Sequence, residues 1–167
     1  MNIRRITLDK LIVIATKHEL DLVSKLKYDG YPVIITGVGI INVLNTLKNV
    51  NKNTEIINIG YCGSNKLNIG DVVQISKVHT LSETADIVEN EIKLKTSKKY
   101  NTVECYTSTD FVTSSNIEKP CVFDMELAAI ASLFRNTRSI KVVSDNLSIE
   151  EYEENINDRE SKSKTSR

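Results

Sequence analysis

The chain has 167 residues, 40% of them hydrophobic and 26% charged, with 22 Lys plus Arg against 22 Asp plus Glu. That length supports one domain with a real core, and the balanced charge provides no net field to attract nucleic acid or an anionic membrane. No apolar run approaches the roughly 18 residues that span a bilayer, and Asp9 and Lys10 interrupt any signal-peptide core, so a cytoplasmic protein is expected.

Cys62, Cys105 and Cys121 are odd in number and widely spaced, and His18 and His79 are also far apart. Neither a disulfide framework nor a zinc-type ligand spacing is present, so no metal or other cofactor is expected.

Leu11-Ile-Val-Ile-Ala15 is an apolar run of strand length, rich in β-branched residues. Helical spacing follows from His18 to Lys27. Tyr31 to Thr36 reads as a second buried strand. Gly37-Val-Gly39 is a tight turn, and the apolar residues Ile40, Val43, Leu44, Leu47 and Val50 mark a helix. Glu55 to Gly60 is a third strand, ending in Gly60-Tyr-Cys-Gly63. Further strands are expected over Asp71–Ser76, within Ile87–Leu94 and over Thr102–Thr107.

After Pro120-Cys-Val122, the residues Phe123, Leu127, Ile130 and Phe134 share one face of a predicted helix, with Met125 and Glu126 at its start. Ser139 to Val143 is the last core strand, followed by Ser144-Asp145. Ser148-Ile-Glu-Glu151 has the pattern that caps and opens a helix. Residues 1–159 are expected to form a single domain. The tail from Glu160 to Arg167 has no apolar residue and is expected to be disordered. Alternating strands and helices, with strands apolar on both faces, predict a three-layer α/β/α fold around a mixed, mostly parallel sheet.

Five segments, in this order, carry a resemblance: Ile14-Ala-Thr-Lys-His-Glu19, Thr36-Gly-Val-Gly-Ile-Ile-Asn42, Ile57-Asn-Ile-Gly-Tyr-Cys-Gly63 with Gly70-Asp-Val-Val73, Thr107-Ser-Thr-Asp-Phe-Val112, and Met125-Glu126 with Ser144-Asp145. Together they resemble the nucleoside phosphorylase and nucleosidase superfamily, closest to its methylthioadenosine/S-adenosylhomocysteine nucleosidase branch, in a shortened form. The resemblance implies a purine nucleoside as small-molecule substrate and a homo-oligomer, by expectation a dimer. It also assigns roles. Glu126 accepts hydrogen bonds from the ribose hydroxyls and Met125 packs under the sugar. Phe111 and Val112 meet the base. Asp145, beside Ser144, protonates the base as it leaves, and Glu19 activates the attacking water. Gly63 belongs to the signature around the nucleophile. Tyr61 departs from it, standing where relatives carry a small hydroxyl residue.

The phosphorylases of this superfamily hold phosphate with arginines, and neither of their arginine positions is filled here. Lys141 is the one nearby cation the pattern suggests, and a single Lys replaces a bidentate Arg clamp poorly. Hydrolysis is therefore the expected reaction. Phosphorolysis is the runner-up, and an inactive nucleoside-binding or partner-binding homologue is a third alternative.

Overall fold

A computed structural model describes residues 9–81 and 87–155, with backbone alone for residues 87–90. The expected disordered tail lies outside the described residues. Among the described residues eight strands form one mixed sheet: β1 (Lys10–Ile14), β2 (Val33–Ile35), β3 (Glu55–Ser64), β4 (Val72–Leu81), β5 (Ile87–Lys93), β6 (Thr102–Thr107), β7 (Cys121–Asp124) and β8 (Thr137–Asp145). The helices are α1 (Leu20–Lys25), preceded by a 3-10 turn over Lys17–Glu19, then α2 (Ile40–Leu47), α3 (Leu127–Leu133) and α4 (149–155).

Alternation along β1 creates the three layers. Ile12 and Ile14 pack with Leu22, Val23 and Leu26 of the α1 segment. Leu11 and Val13 point to the other face, against Val43 and Leu47 of α2 and Ala129, Ile130 and Phe134 from α3 and its end. A strand covered on both sides is apolar along most of its length, which is why β1 reads as a hydrophobic run from Leu11 to Ile14.

The middle of the sheet closes on itself. β3 runs parallel to β8, β8 antiparallel to β4, β4 parallel to β6, β6 parallel to β7, and β7 antiparallel to the far end of β3. Inside and around this ring lie Cys62, Val73, Ile75, Val78, Cys105, Val122 and Val143, packed with Leu127, Ala128 and Ala131 of α3. The ring is what brings the C-terminal end of β8 beside the ends of β3 and β7.

Four expectations change in detail. Among the described residues β2 is an edge strand paired only with β1, and Val33 and Ile35 are exposed there rather than buried. β3 continues through Gly60-Tyr-Cys-Gly63 to Ser64 instead of ending there. β4 extends to Leu81, because β5 and β6 flank it along this length. Phe123 belongs to β7, not to a helix, and α3 opens only at Leu127. The cause is Asp124, whose Oδ2 accepts the Leu127 N–H at 2.8 Å and so sets the helix start. Phe123 then packs with Leu81, Tyr106 and Cys121, while Ile130 and Phe134 pack under α2. The predicted cap at Ser148 forms, its hydroxyl accepting the Glu151 N–H at 3.2 Å.

Candidate functional site

A cleft opens where β3, β7 and β8 end together. Glu19, Tyr61, Gly63, Phe111, Val112, Met125, Glu126, Ser144 and Asp145 all line it. Nine of the ten residues singled out in the sequence are thus gathered on one surface, although they span more than 120 positions of the chain. Lys141 is the tenth, and it does not reach the cleft.

Glu19 closes the 3-10 turn after β1. Its Oε2 accepts the N–H groups of Ala15 at 2.7 Å and Thr16 at 3.2 Å, and its Oε1 accepts the Tyr61 N–H at 3.1 Å. The side chain is buried. Burial pushes its pKa up, against the Lys141 charge and these three N–H groups. A buried carboxylate with a raised pKa is a stronger proton acceptor than an exposed one.

Glu126 stands across the cleft, just before α3. Its Oε2 accepts the Gly39 N–H at 2.9 Å. Gly39 has φ of +92°, a conformation open to glycine, so the Gly37-Val-Gly39 turn presents a backbone donor to a carboxylate of the same chain. The pKa of Glu126 is pushed up to about 7, by burial first and then by the Asp124 charge, with Lys141 and the Gly39 N–H opposing.

Asp145 ends β8. Its Oδ1 accepts the Ser144 hydroxyl at 2.8 Å and its Oδ2 the Leu147 N–H at 2.9 Å. Burial raises its pKa, opposed first by the Ser144 hydrogen bond and then by that from Leu147. The β3–β8 register shifts between Cys62 and Gly63, which sets Gly63 directly opposite Asp145. A Cβ on Gly63 would sit 2.9 Å from Asp145 Oδ2, so only glycine leaves room for the acid.

Phe111 and Val112 come from the loop after β6 and form an apolar wall. Val112 packs with Tyr106 and Phe123, and Phe111 meets the ring of Tyr152 from α4 edge-on at 5.6 Å. Tyr61 contributes its side chain to the cleft and packs on the α1 core.

Lys141 corrects the expectation of a cation beside the ligand. Its side chain is buried below the cleft, with Nζ 3.1 Å from Asp124 Oδ2. Position 141 on β8 faces into the closed ring, where the carboxylate of Asp124 sits at the end of β7. Burial works against the ammonium, but Asp124, Cys105, Glu126 and Glu19 outweigh it and hold the Lys141 pKa above that of an ordinary lysine.

Asp124 and Tyr152 are cleft residues that the sequence reading passed over. Asp124 accepts hydrogen bonds from Thr107 Oγ1 at 2.5 Å, Leu127 N and Lys141 Nζ, so it joins β6, β7, β8 and α3 under the site. Its signal was an Asp three residues before an apolar helical run, the spacing of a helix-capping side chain. Tyr152 carried a weaker one, as the single aromatic residue in the acidic stretch after Ser148.

No protein-family model matches this chain, and a search of curated proteins gives no match. Solved structures do match. A methylthioadenosine nucleosidase (MTAN) from Chlamydia trachomatis aligns with a TM-score of 0.74 at 16% identity, over 88% of each chain. A single-substitution variant of that bacterial protein, bound to MTA, aligns at 0.72 and 17% identity, again over 88% of each. The 5′-methylthioadenosine/S-adenosylhomocysteine nucleosidase of Helicobacter pylori, in complex with an inhibitor, aligns at 0.66 and 15% identity, over 90% of this chain and 92% of that one. At such identities the likeness is one of architecture, and it places this chain in the nucleoside phosphorylase/nucleosidase fold.

Proposed function

We propose that the protein is a purine nucleoside N-ribosyl hydrolase that uses water as its nucleophile. The observation that carries this reading is the convergence of Glu19, Glu126 and Asp145 on one cleft with an apolar wall at Phe111 and Val112. A nucleoside has the matching chemistry: a flat base for the wall, a cis-diol for a carboxylate, and a ring nitrogen for an acid.

Under this reading Glu126 accepts from the 2′- and 3′-hydroxyls while Gly39 holds its outer oxygen, and Met125 packs under the sugar. Asp145 gives its proton to N7. The C1′–N9 bond breaks, its electron pair leaves with the base, and positive charge develops on the sugar. Water adds to C1′ and passes a proton to Glu19. The products are free base and ribose. Among the described residues no Arg or Lys lines the cleft, and Lys141 is engaged by Asp124. That favours water over phosphate. The 5′-methylthioadenosine and S-adenosylhomocysteine class, which gives the Helicobacter pylori neighbour its name, is the first set of substrates to try.

The test is base release from a panel of purine nucleosides, with and without phosphate. Release in phosphate-free buffer is the expected result. Strict dependence on phosphate makes the protein a phosphorylase. Binding without release makes it a nucleoside-binding homologue.

Glu126 gives this reading a pH signature. Its pKa in the free protein is about 7, so its acceptor form is lost as pH falls through neutrality. KM should rise about tenfold per unit below pH 7, and Glu126→Gln should flatten that dependence while binding weakly throughout. Stability moves the other way. The fold favours the protonated carboxyl, so this contribution is whole below pH 4.5 and lost as pH rises to about 7. Glu126→Gln should therefore unfold at a higher temperature than the parent at pH 8, by up to about 3 kcal/mol of stability. The two should converge below pH 4.5.

We also infer a homodimer. Val38, Ile41 and Leu44 form an exposed apolar strip, with Ile41 75% exposed, and Val38 itself lines the cleft. A second copy is the occupant that would cover this strip and complete the rim. Light scattering should give twice the chain mass, and Ile41→Glu should return the monomer.

A further inference from the structure

We propose that Asn65 positions the base wall of the cleft: it latches the loop carrying Phe111 and Val112 to the end of β3, and so sets how tightly the base is held. The inference rests on the nucleosidase reading and adds a positioning residue to it.

The loop is residues 108–120, the connection from β6 to β7. These strands are parallel neighbours, so the chain leaves Thr107 at the cleft and must travel back along the sheet to begin β7 at Cys121. Such a crossover is usually a helix. Here it contains neither helix nor strand. The Ser108 N–H donates to Asp124 O at 3.0 Å where the loop starts. From Phe111 to Asn116 no hydrogen bond ties it to the sheet among the described residues. Val112 and Ile117 settle on one apolar cluster, formed by Leu81, Tyr106, Cys121 and Phe123.

Asn65 grips the returning end. Its amide nitrogen donates to Ile117 O at 2.8 Å and to Lys119 O at 2.9 Å, and its Oδ1 accepts the Cys121 N–H at 3.0 Å. Turned over, the amide would set its oxygen against two carbonyls, so its orientation is fixed by its partners. The backbone beneath it is held too. The Ser64 hydroxyl donates to Cys121 O at 2.7 Å and accepts the Leu67 N–H at 3.0 Å. The Asn146 amide donates to Leu67 O at 2.7 Å and Ser64 O at 3.1 Å. Asn146 follows Asp145, so the turn after β3 is a common reference for the acid and for the wall. Lys119 also pairs with Glu104, but its side chain is exposed, and a surface ion pair contributes little.

Fixing Ile117 fixes the cluster that seats Val112, and with it the wall. The wall meets the base in the bound substrate and in the transition state alike. A looser wall therefore weakens binding without slowing bond breaking.

The experiment compares the parent with Asn65→Ala and with Asn65→Asp, which keeps the size and the acceptor but removes both donors. In each variant KM for adenosine and Kd for adenine should rise about tenfold, with kcat within about twofold of the parent. Inhibition by ribose, which meets only the sugar side, should not change. Hydrogen exchange should quicken over residues 108–120 and stay as it was in β1. A parent-like Asn65→Asp, or equal losses for adenine and ribose, would overturn the inference while leaving the nucleosidase reading intact. If the parent neither cleaves adenosine nor binds adenine, both fall together.

Discussion

Asp145→Asn should lower kcat for purine release by about 10²- to 10⁴-fold, the range lost when a positioned acid is removed, with little change in KM. The fold should survive the change. An asparagine can turn its carbonyl oxygen to the Leu147 N–H and donate from its amide to the Ser144 hydroxyl, replacing the two contacts that Asp145 makes now. What it cannot do is transfer a proton. The prediction has an internal control. A riboside with an acidic leaving group, such as p-nitrophenol, departs without protonation, so Asp145→Asn should cleave it nearly as fast as the parent. The pH profile supplies the sign. Burial raises the Asp145 pKa, which keeps the acid form present to higher pH than an exposed aspartate would. The parent should therefore lose kcat as pH rises through that raised value, and the p-nitrophenyl substrate should not show this limb. Parent-like kcat on adenine nucleosides in Asp145→Asn would remove Asp145 from the role of acid.

The layers of the fold were legible because strands covered on two faces are mostly apolar, their few buried polar side chains, such as Ser139 and Lys141 of β8, being partnered inside. β1 with its four buried residues and the apolar core of β8 were visible for that reason. The glycines misled. Gly60-Tyr-Cys-Gly63 has the composition of a loop, yet both glycines lie in β3. They are there because a carboxylate fills the space where each Cβ would be: Glu19 Oε1 lies 2.9 Å from that point at Gly60, and Asp145 Oδ2 lies 2.9 Å from it at Gly63. One strand thus accommodates the candidate base through one glycine and the candidate acid through the other. Such a fact is three-dimensional, since the partners lie 41 and 82 positions away. The start of α3 failed for a related reason. Periodicity alone put Phe123 with Leu127, and only the Asp124 side chain shows where the strand stops and the helix begins.

Lys141→Met should cost about 3–5 kcal/mol in stability, the range for removing one partner of a buried ion pair. The ammonium is sealed below the cleft with Asp124 Oδ2 at 3.1 Å. Taking it away leaves a carboxylate that still accepts from Thr107 and Leu127 but has lost its countercharge. Denaturant unfolding measures the loss. If charge imbalance is the cause, the double variant Asp124→Asn/Lys141→Met should recover a large part of it. If the cause is lost packing of the lysine stem, the double variant should be no better than the single one. The site supplies an independent readout. Lys141 lowers the pKa of both Glu19 and Glu126 in the parent. Without it both should bind protons more tightly, so the acid limb of kcat/KM should move to higher pH. A cation that only filled space would leave that limb where it is. The shift would make Lys141 a positioning residue, one that lies below the cleft and acts on Glu19 and Glu126 through its charge, which lowers the pKa of each against the effect of burial.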